Sequence, residues 1–261
     1  MYPENEIKIS KSTLSTVISS VEEPVCLLGG WAVFITTNQN FSNQQGRDYI
    51  GSRDIDLGFH IDENWSDSEL QNSAFASSIK ILKDMDYYGL GCRFVQHHDL
   101  ETKKLLTEEE AKTRPKYTMF DLFVDPIVDK IHPKIKTLIG FDPIDEPLLT
   151  KVFIEKKFTM SQYFGKVIML PHVEVLVATK INSVTNRDKE GKRIKDIADI
   201  YALMWYSDTK FAELKKKVIE LCGAQKISHV LSEFTEEDYL KVSNVIGIDK
   251  TEISRVIGEI K

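Results

Sequence analysis

The sequence predicts an α+β protein, with a mixed α/β half over residues 1–171 and a helical half over residues 172–261. Three observations carry that reading. The run Val25-Cys26-Leu27-Leu28 is short and continuously apolar, as a buried central strand is. The run 117–124 is a second strong strand pattern, broken only by Asp121. Beyond Pro171 only helical periodicity remains. In 193–206, Ile194, Ile197, Ala198, Tyr201, Met204 and Trp205 recur at helical spacing and make one complete apolar face. Strands first and helices afterwards is an α+β order.

The elements follow in turn. A rough stripe of Ile7, Ile9, Leu14, Val17 and Ile18 predicts a helix over 7–20, broken by Pro24. After the first strand, Gly29-Gly30 leads into a helix over 31–35, and the polar stretch Thr36 to Gln45 reads as a loop. A strand entered through Gly51-Ser52 comes next. Leu70, Ala74, Ile79, Leu82 and Met85 predict one helix over 67–88, ended at Gly89. Residues 92–95 read as a strand, 99–114 as a charged surface segment, and Pro126 as the stop of the 117–124 strand. Residues 151–158 and 165–170 pair as a hairpin across Ser161-Gln162-Tyr163, and helices follow at 173–186, 193–206 and 210–222.

Length and composition narrow the classes. The 261 residues are ample for a sizeable core. No apolar run approaches a membrane span, and the start lacks a signal peptide's apolar centre, so the expected place of work is the cytoplasm, away from membranes. Cys26, Cys92 and Cys222 are scattered and odd in number, which predicts reduced thiols. A net charge of −6 argues against a surface wholly given to nucleic acid. Six basic residues between Lys180 and Lys195 nevertheless make a local cationic stretch.

The chemistry concentrates in Gly51-Ser52-Arg53-Asp54-Ile55-Asp56-Leu57-Gly58. On a strand, Asp54 and Asp56 project from one face, roughly 7 Å apart, while Ile55 and Leu57 face the core. Two neighbouring carboxylates repel unless a cation sits between them, and a divalent metal is the usual one. Read alone, such a pair is as readily a solvated strand edge. Glycines after a strand and before a helix let the backbone approach a phosphate, although a plain tight turn has the same form. Asp121, between Phe120 and Leu122, needs a partner if buried, either a shared metal or a basic side chain. Asp125 lies on the same strand face and is a second candidate for that role. Lys180 and Arg187 are two helical turns apart, and Asp196 and Asp199 are helical neighbours off the apolar stripe. His97-His98-Asp99 reads as an exposed loop without a third ligand at useful spacing.

Together, Leu28-Gly29-Gly30, the Gly51–Leu57 run and Phe120-Asp121-Leu122 resemble the polymerase-β-like nucleotidyltransferase superfamily. The later Lys180, Arg187 and Lys195-Asp196-Ile197-Ala198-Asp199 look like its AbiEii branch, the nucleotidyltransferase toxins of toxin–antitoxin systems. The branch often carries an arginine two residues before the turn Ser or Thr, where this chain has Ile50. The resemblance implies a nucleotidyltransferase fold, a small mixed sheet flanked by helices, followed by a helical C-terminal domain. It implies an enzyme that uses two Mg²⁺ ions to move an NMP from an NTP to an acceptor hydroxyl. Asp54, Asp56 and Asp121 would be the metal ligands and catalytic carboxylates. Gly29, Gly30, Ser52, Lys180 and Arg187 would bind the nucleotide, with Asp196 and Asp199 positioning base, sugar or acceptor. The implied acceptor is tRNA or another RNA, and the implied partner an antitoxin protein. A small-molecule or protein acceptor, and a non-catalytic nucleotide-binding module, are the alternatives.

Overall fold

The structure is a computed structural model that describes residues 3–261, and it divides into two compact units. The sheet unit takes the residues up to Trp31 and Gly51–Leu170; the helical unit takes Ala32–Ile50 and Pro171–Lys261. The helical unit thus includes a segment, 32–50, that the sequence reading places with the first half.

In the sheet unit, helix α1 (Glu4–Ser20) precedes strand β1 (Cys26–Leu27), and helix α2 begins at Gly29 and runs to Gln45. Strand β2 (Ile55–Phe59) follows, then helices α3 (Asp67–Gln71) and α4 (Ala74–Asp84). Next come β3 (Tyr88–Leu90), β4 (Arg93–Asp99), β5 (Leu105–Leu106), α5 (Glu108–Thr113) and the long β6 (Met119–Val128). Helix α6 (Ile135–Ile139), β7 (Ile144–Asp145), α7 (Leu149–Phe153), β8 (Phe158–Tyr163) and β9 (Lys166–Pro171) complete it. The strands form one mixed sheet in the order β3-β4-β6-β2-β1-β9-β8, with β5 beside β4 and β7 beside β6. β2 and β6 run parallel with Ile55 opposite Val124 and Asp56 opposite Asp125. β4 lies antiparallel on the other side of β6, with His97 opposite Asp121.

That register sorts the side chains. Ile55, Leu57, Phe94, Phe120, Leu122 and Val124 share the core face and are fully buried. Asp54, Asp56, Asp121, Asp125, Arg93 and His97 fall on the other face by the two-residue alternation of a strand.

Four sequence expectations about elements change. Thr36 to Gln45 is helix, not loop. Its polar side chains satisfy themselves along the axis: Thr36 and Thr37 donate to the Ala32 and Val33 carbonyls at 2.8 Å, and Gln39 donates to Asn43 at 3.1 Å. Phe41 anchors it, edge-on to the Tyr49 and Tyr206 rings at about 5 Å. The single helix over 67–88 is two. Ser66 caps α3 in a reciprocal box with Glu69, and Ser73 caps α4 by accepting from the Ala76 amide at 3.1 Å, so a helix start lies inside the periodic run. β6 continues through Pro126 to Val128 because the β4 ladder has ended at Phe94–Val124, where a missing donor is tolerated. The hairpin turns at Phe164-Gly165, both at positive φ (53° and 72°), rather than at 161–163. A two-residue turn of that hand matches the strand twist, and residues 151–153 of the expected strand belong to helix α7.

In the helical unit, α8 (Val173–Val184), α9 (Glu190–Tyr206), α10 (Phe211–Cys222), α11 (Ala224–Ser232), α12 (Glu236–Ile246) and α13 (Lys250–Gly258) surround a core of Val177, Ile181, Ile197, Tyr201, Leu214 and Val218. The apolar face of α9 is buried as its spacing predicts, apart from Trp205. Its ring lies under the Arg255 guanidinium at 5.2 Å. Among the described residues no helix is long and apolar enough to cross a membrane.

Candidate active site

The polar face of β2, β6 and β4 gathers the carboxylates of the sheet unit, and each has a geometric reason to be there. α2 begins at Gly29 directly after β1, and the Leu28 amide donates to the Asp56 carbonyl at 2.9 Å. Gly29 has φ +59°, and a Cβ built there would stand 1.8 Å from Asp56 Oδ2. Only glycine allows the start of α2 to lie this close to the Asp56 carboxylate. Gly30 and Ser52 are buried beside this turn, and Gly51 is closed in by Ile7 and Trp31.

Asp54 and Asp125 converge on one cation, Arg93. Its Nε donates to Asp125 Oδ1 at 2.6 Å, and one terminal nitrogen donates to Asp125 Oδ2 at 2.8 Å and to Asp54 Oδ2 at 3.0 Å. The guanidinium also lies 4.0 Å from the Phe123 ring centroid. Burial works against its charge, but Asp125 and then Asp54 outweigh that and hold it firmly protonated. The fork geometry is what a guanidinium offers and an ammonium does not.

Asp121 is engaged differently. His97 Nδ1 lies 2.6 Å from its Oδ1, and the Tyr88 ring flanks the imidazole at 5.3 Å between centroids. His97 and His98 therefore belong to a strand rather than an exposed loop, and His98 is 9% exposed. Asp121 and Asp125 are four residues apart on β6, roughly 13 Å along the strand. Asp125 sits opposite Asp56 in the ladder, whereas Asp121 is level with the turn that precedes β2.

The chemistry of this donor set fits a hard divalent cation. The available atoms are carboxylate oxygens, and Asp54 and Asp125 already converge on one positive group. Among the described residues, no group of three or more His, Cys, Asp and Glu side chains is gathered closely enough to hold an ion together. Asp54 and Asp125 stand on one face with the Arg93 guanidinium between them.

The other site residues expected from the sequence lie in the helical unit and form a buried charge network. Lys180 Nζ is 2.6 Å from Asp196 Oδ1 and 2.8 Å from Asp199 Oδ2. Arg187 Nε donates to Asp196 Oδ2 at 2.6 Å, and Ser183 Oγ donates to the same oxygen at 3.1 Å. Lys195 pairs with Asp199, whose Oδ1 also accepts the Tyr49 hydroxyl at 2.9 Å. Asp199 is fully buried and Asp196 is 2% exposed. Burial pushes the Asp196 carboxyl up, but Lys180 and Arg187 prevail and bring it down to about 2. Burial also drives Lys195 below the usual lysine range, with Asp199 opposing. Arg187 is not on the helix with Lys180: α8 ends at Val184, and Arg187 follows in the turn before α9. Of the arginines near Ile50, Arg53 pairs with Glu6 at 2.7 Å and lies over the Phe120 ring, and Arg47 donates to the Ile246 carbonyl.

The sequence reading did not single out Arg93, set His97 aside as loop, and named Asp125 only as a second candidate beside Asp121. The signal was present as complementary spacing: Arg93 and His97 are four apart on one strand, as Asp121 and Asp125 are on the next.

No family model matches the chain, and no curated protein matches it. A solved structure with a similar backbone course is that of an antigenic nucleotidyltransferase-like protein from Paracoccidioides brasiliensis. It is 16% identical, with 94% of this chain and 93% of that chain covered and a TM-score of 0.45. A superposition that loose carries no argument about activity.

Proposed function

We propose that the polar face of the sheet unit catalyses Mg²⁺-dependent transfer of an NMP from an NTP to an acceptor hydroxyl. The observation that carries this is the convergence of Asp54 and Asp125 on one cation, beside an Asp56 carboxylate set against the glycine start of α2. Asp54, Asp56 and Asp125 would hold the metal once Arg93 has left Asp54 and Asp125 and the three side chains have closed together, since as they stand they do not gather at one point. On this proposal Asp125, as the ladder partner of Asp56, would take the place that the resemblance gives to Asp121. When bound, the two Mg²⁺ ions would neutralise phosphate charge and increase the acidity of the acceptor hydroxyl.

The chain's own groups do the rest. Gly29, Gly30 and Ser52 offer close backbone approach and hydrogen-bond donors to phosphate oxygens. Asp121, held at its Oδ1 by His97 and roughly 13 Å along β6 from Asp125, would position the acceptor rather than take the proton of a hydroxyl at the metal. Lys180 and Arg187 would reach phosphates only by exchanging Asp196 for them, and Asp196 and Asp199 hold those cations in the meantime. The acceptor we favour is RNA such as tRNA, and the setting a toxin neutralised by an antitoxin, as the resemblance implies.

The test is labelled NTP with Mg²⁺ and total RNA, for the wild type and for Asp54→Ala. Label should enter RNA with the wild type only. Equal labelling by both proteins would end the enzyme reading. Labelling of a small molecule or a protein instead would keep the chemistry and change the acceptor.

A further inference from the structure

On the reading that Asp54, Asp56 and Asp125 hold a divalent ion, we infer that Arg93 is a resident counter-cation which that ion must displace. Arg93 uses both oxygens of Asp125 and one of Asp54, so no ion can take Asp125 while the fork stays closed. An inserted metal would bring positive charge against a guanidinium already seated on its ligands. Both cannot occupy these oxygens together.

The position of Arg93 suits an arm that leaves. It opens β4 next to the β3–β4 turn, at the end of the β4–β6 ladder, where Gly91 has φ 65° and Leu90 is 57% exposed. Its own side chain is 25% exposed, so swinging outward gives the guanidinium to water and not to an apolar core.

The consequence is metal affinity held low until the nucleotide brings its own cation and phosphates. A binding-competent state that is populated only fractionally lowers apparent affinity by that fraction. A closed arm in roughly nine molecules of ten would therefore weaken metal binding roughly tenfold. A plain structural strut makes the opposite prediction: without Arg93 the carboxylates lose their alignment, and metal binding weakens.

The experiment is calorimetric titration of the full chain with MgCl₂ and MnCl₂, for the wild type, Arg93→Gln and Arg93→Lys. Circular dichroism melts confirm that each protein is folded. Arg93→Gln should bind about tenfold more tightly, with Arg93→Lys in between because an ammonium cannot form the fork. Wild-type protein provides a second readout: the Arg93 Nε–Hε NMR signal should shift on saturation with Mg²⁺. That readout stands even if the glutamine variant does not fold. Equal or weaker binding by Arg93→Gln, or an unmoved Nε–Hε signal in metal-saturated wild type, overturns the inference and leaves metal binding intact. Absence of binding in every variant overturns both the inference and the Mg²⁺ reading.

Discussion

Replacing Asp196 by Asn removes one charge from the most buried ionic network of the helical unit while keeping the side chain's shape. Asp196 now accepts from Lys180, Arg187 and Ser183 within 2.6–3.1 Å. Its carboxyl lies at about 2 against an ordinary 3.8. At 1.36 kcal/mol per unit, that displacement corresponds to about 2 kcal/mol of net stabilisation of the charged form. A second route gives a similar figure. Breaking a buried pair by removing one partner costs about 3–5 kcal/mol, and Lys180 keeps Asp199, which offsets part of it. The expected loss is therefore about 2–4 kcal/mol, read as a lower urea midpoint with an unchanged slope. A loss below about 0.5 kcal/mol, the scale of an ordinary surface substitution, would refute the reasoning. If nucleotidyl transfer collapsed while stability stayed put, Asp196 would be a substrate-contacting residue and not a clamp on Lys180 and Arg187.

Further outcomes follow from the same geometry. Because the Asp196 pKa is lowered on folding, its contribution is complete above about pH 4 and is lost as the pH falls towards 2. Urea midpoints across that window should fall less steeply for Asp196→Asn than for the wild type, and parallel curves would count against the pair. Gly29→Ala forces a side chain into a left-handed conformation, at about 1–2 kcal/mol, and drives its Cβ into the Asp56 carboxylate. Transfer should fall roughly a hundredfold, as for a misplaced reacting group, with a modest drop in melting temperature; retained activity would exclude Asp56 from the chemistry. Tyr49→Phe removes a donor from fully buried Asp199 and should cost about 1–2 kcal/mol in urea, with no change expected in metal titrations.

What could be read in advance was what local pattern controls. The alternation of Asp54-Ile55-Asp56-Leu57 placed carboxylates and core side chains on opposite faces, as found. The helical spacing of 193–206 placed the α9 core. What escaped depended on partners distant in the chain. No local rule brings Tyr49 to Asp199 across 150 residues, or turns Thr36 to Gln45 into a helix anchored at Phe41. That Asp125 and not Asp121 is the ladder partner of Asp56 was equally hidden, because both lie on one face of β6 and only the register against β2 separates them. His97 was set aside as loop for the same reason: its meaning appears only once β4 is laid against β6.

The same polar rungs have a consequence for how the chain finds its pairing. With His97 opposite Asp121, and Arg93 reaching Asp125 near the other end of the ladder, each acid meets a base. Sliding β4 by two residues would preserve the core face, so apolar contacts alone would not forbid it. In one direction the slip sets Asp121 against Asp99, and in the other it sets Asp121 against Val95 and Asp125 against Gly91. Either misalignment leaves a carboxylate facing another acid, an apolar residue or nothing. These polar pairings thus act as a lock on alignment, and the same face tells its own strands where to stop.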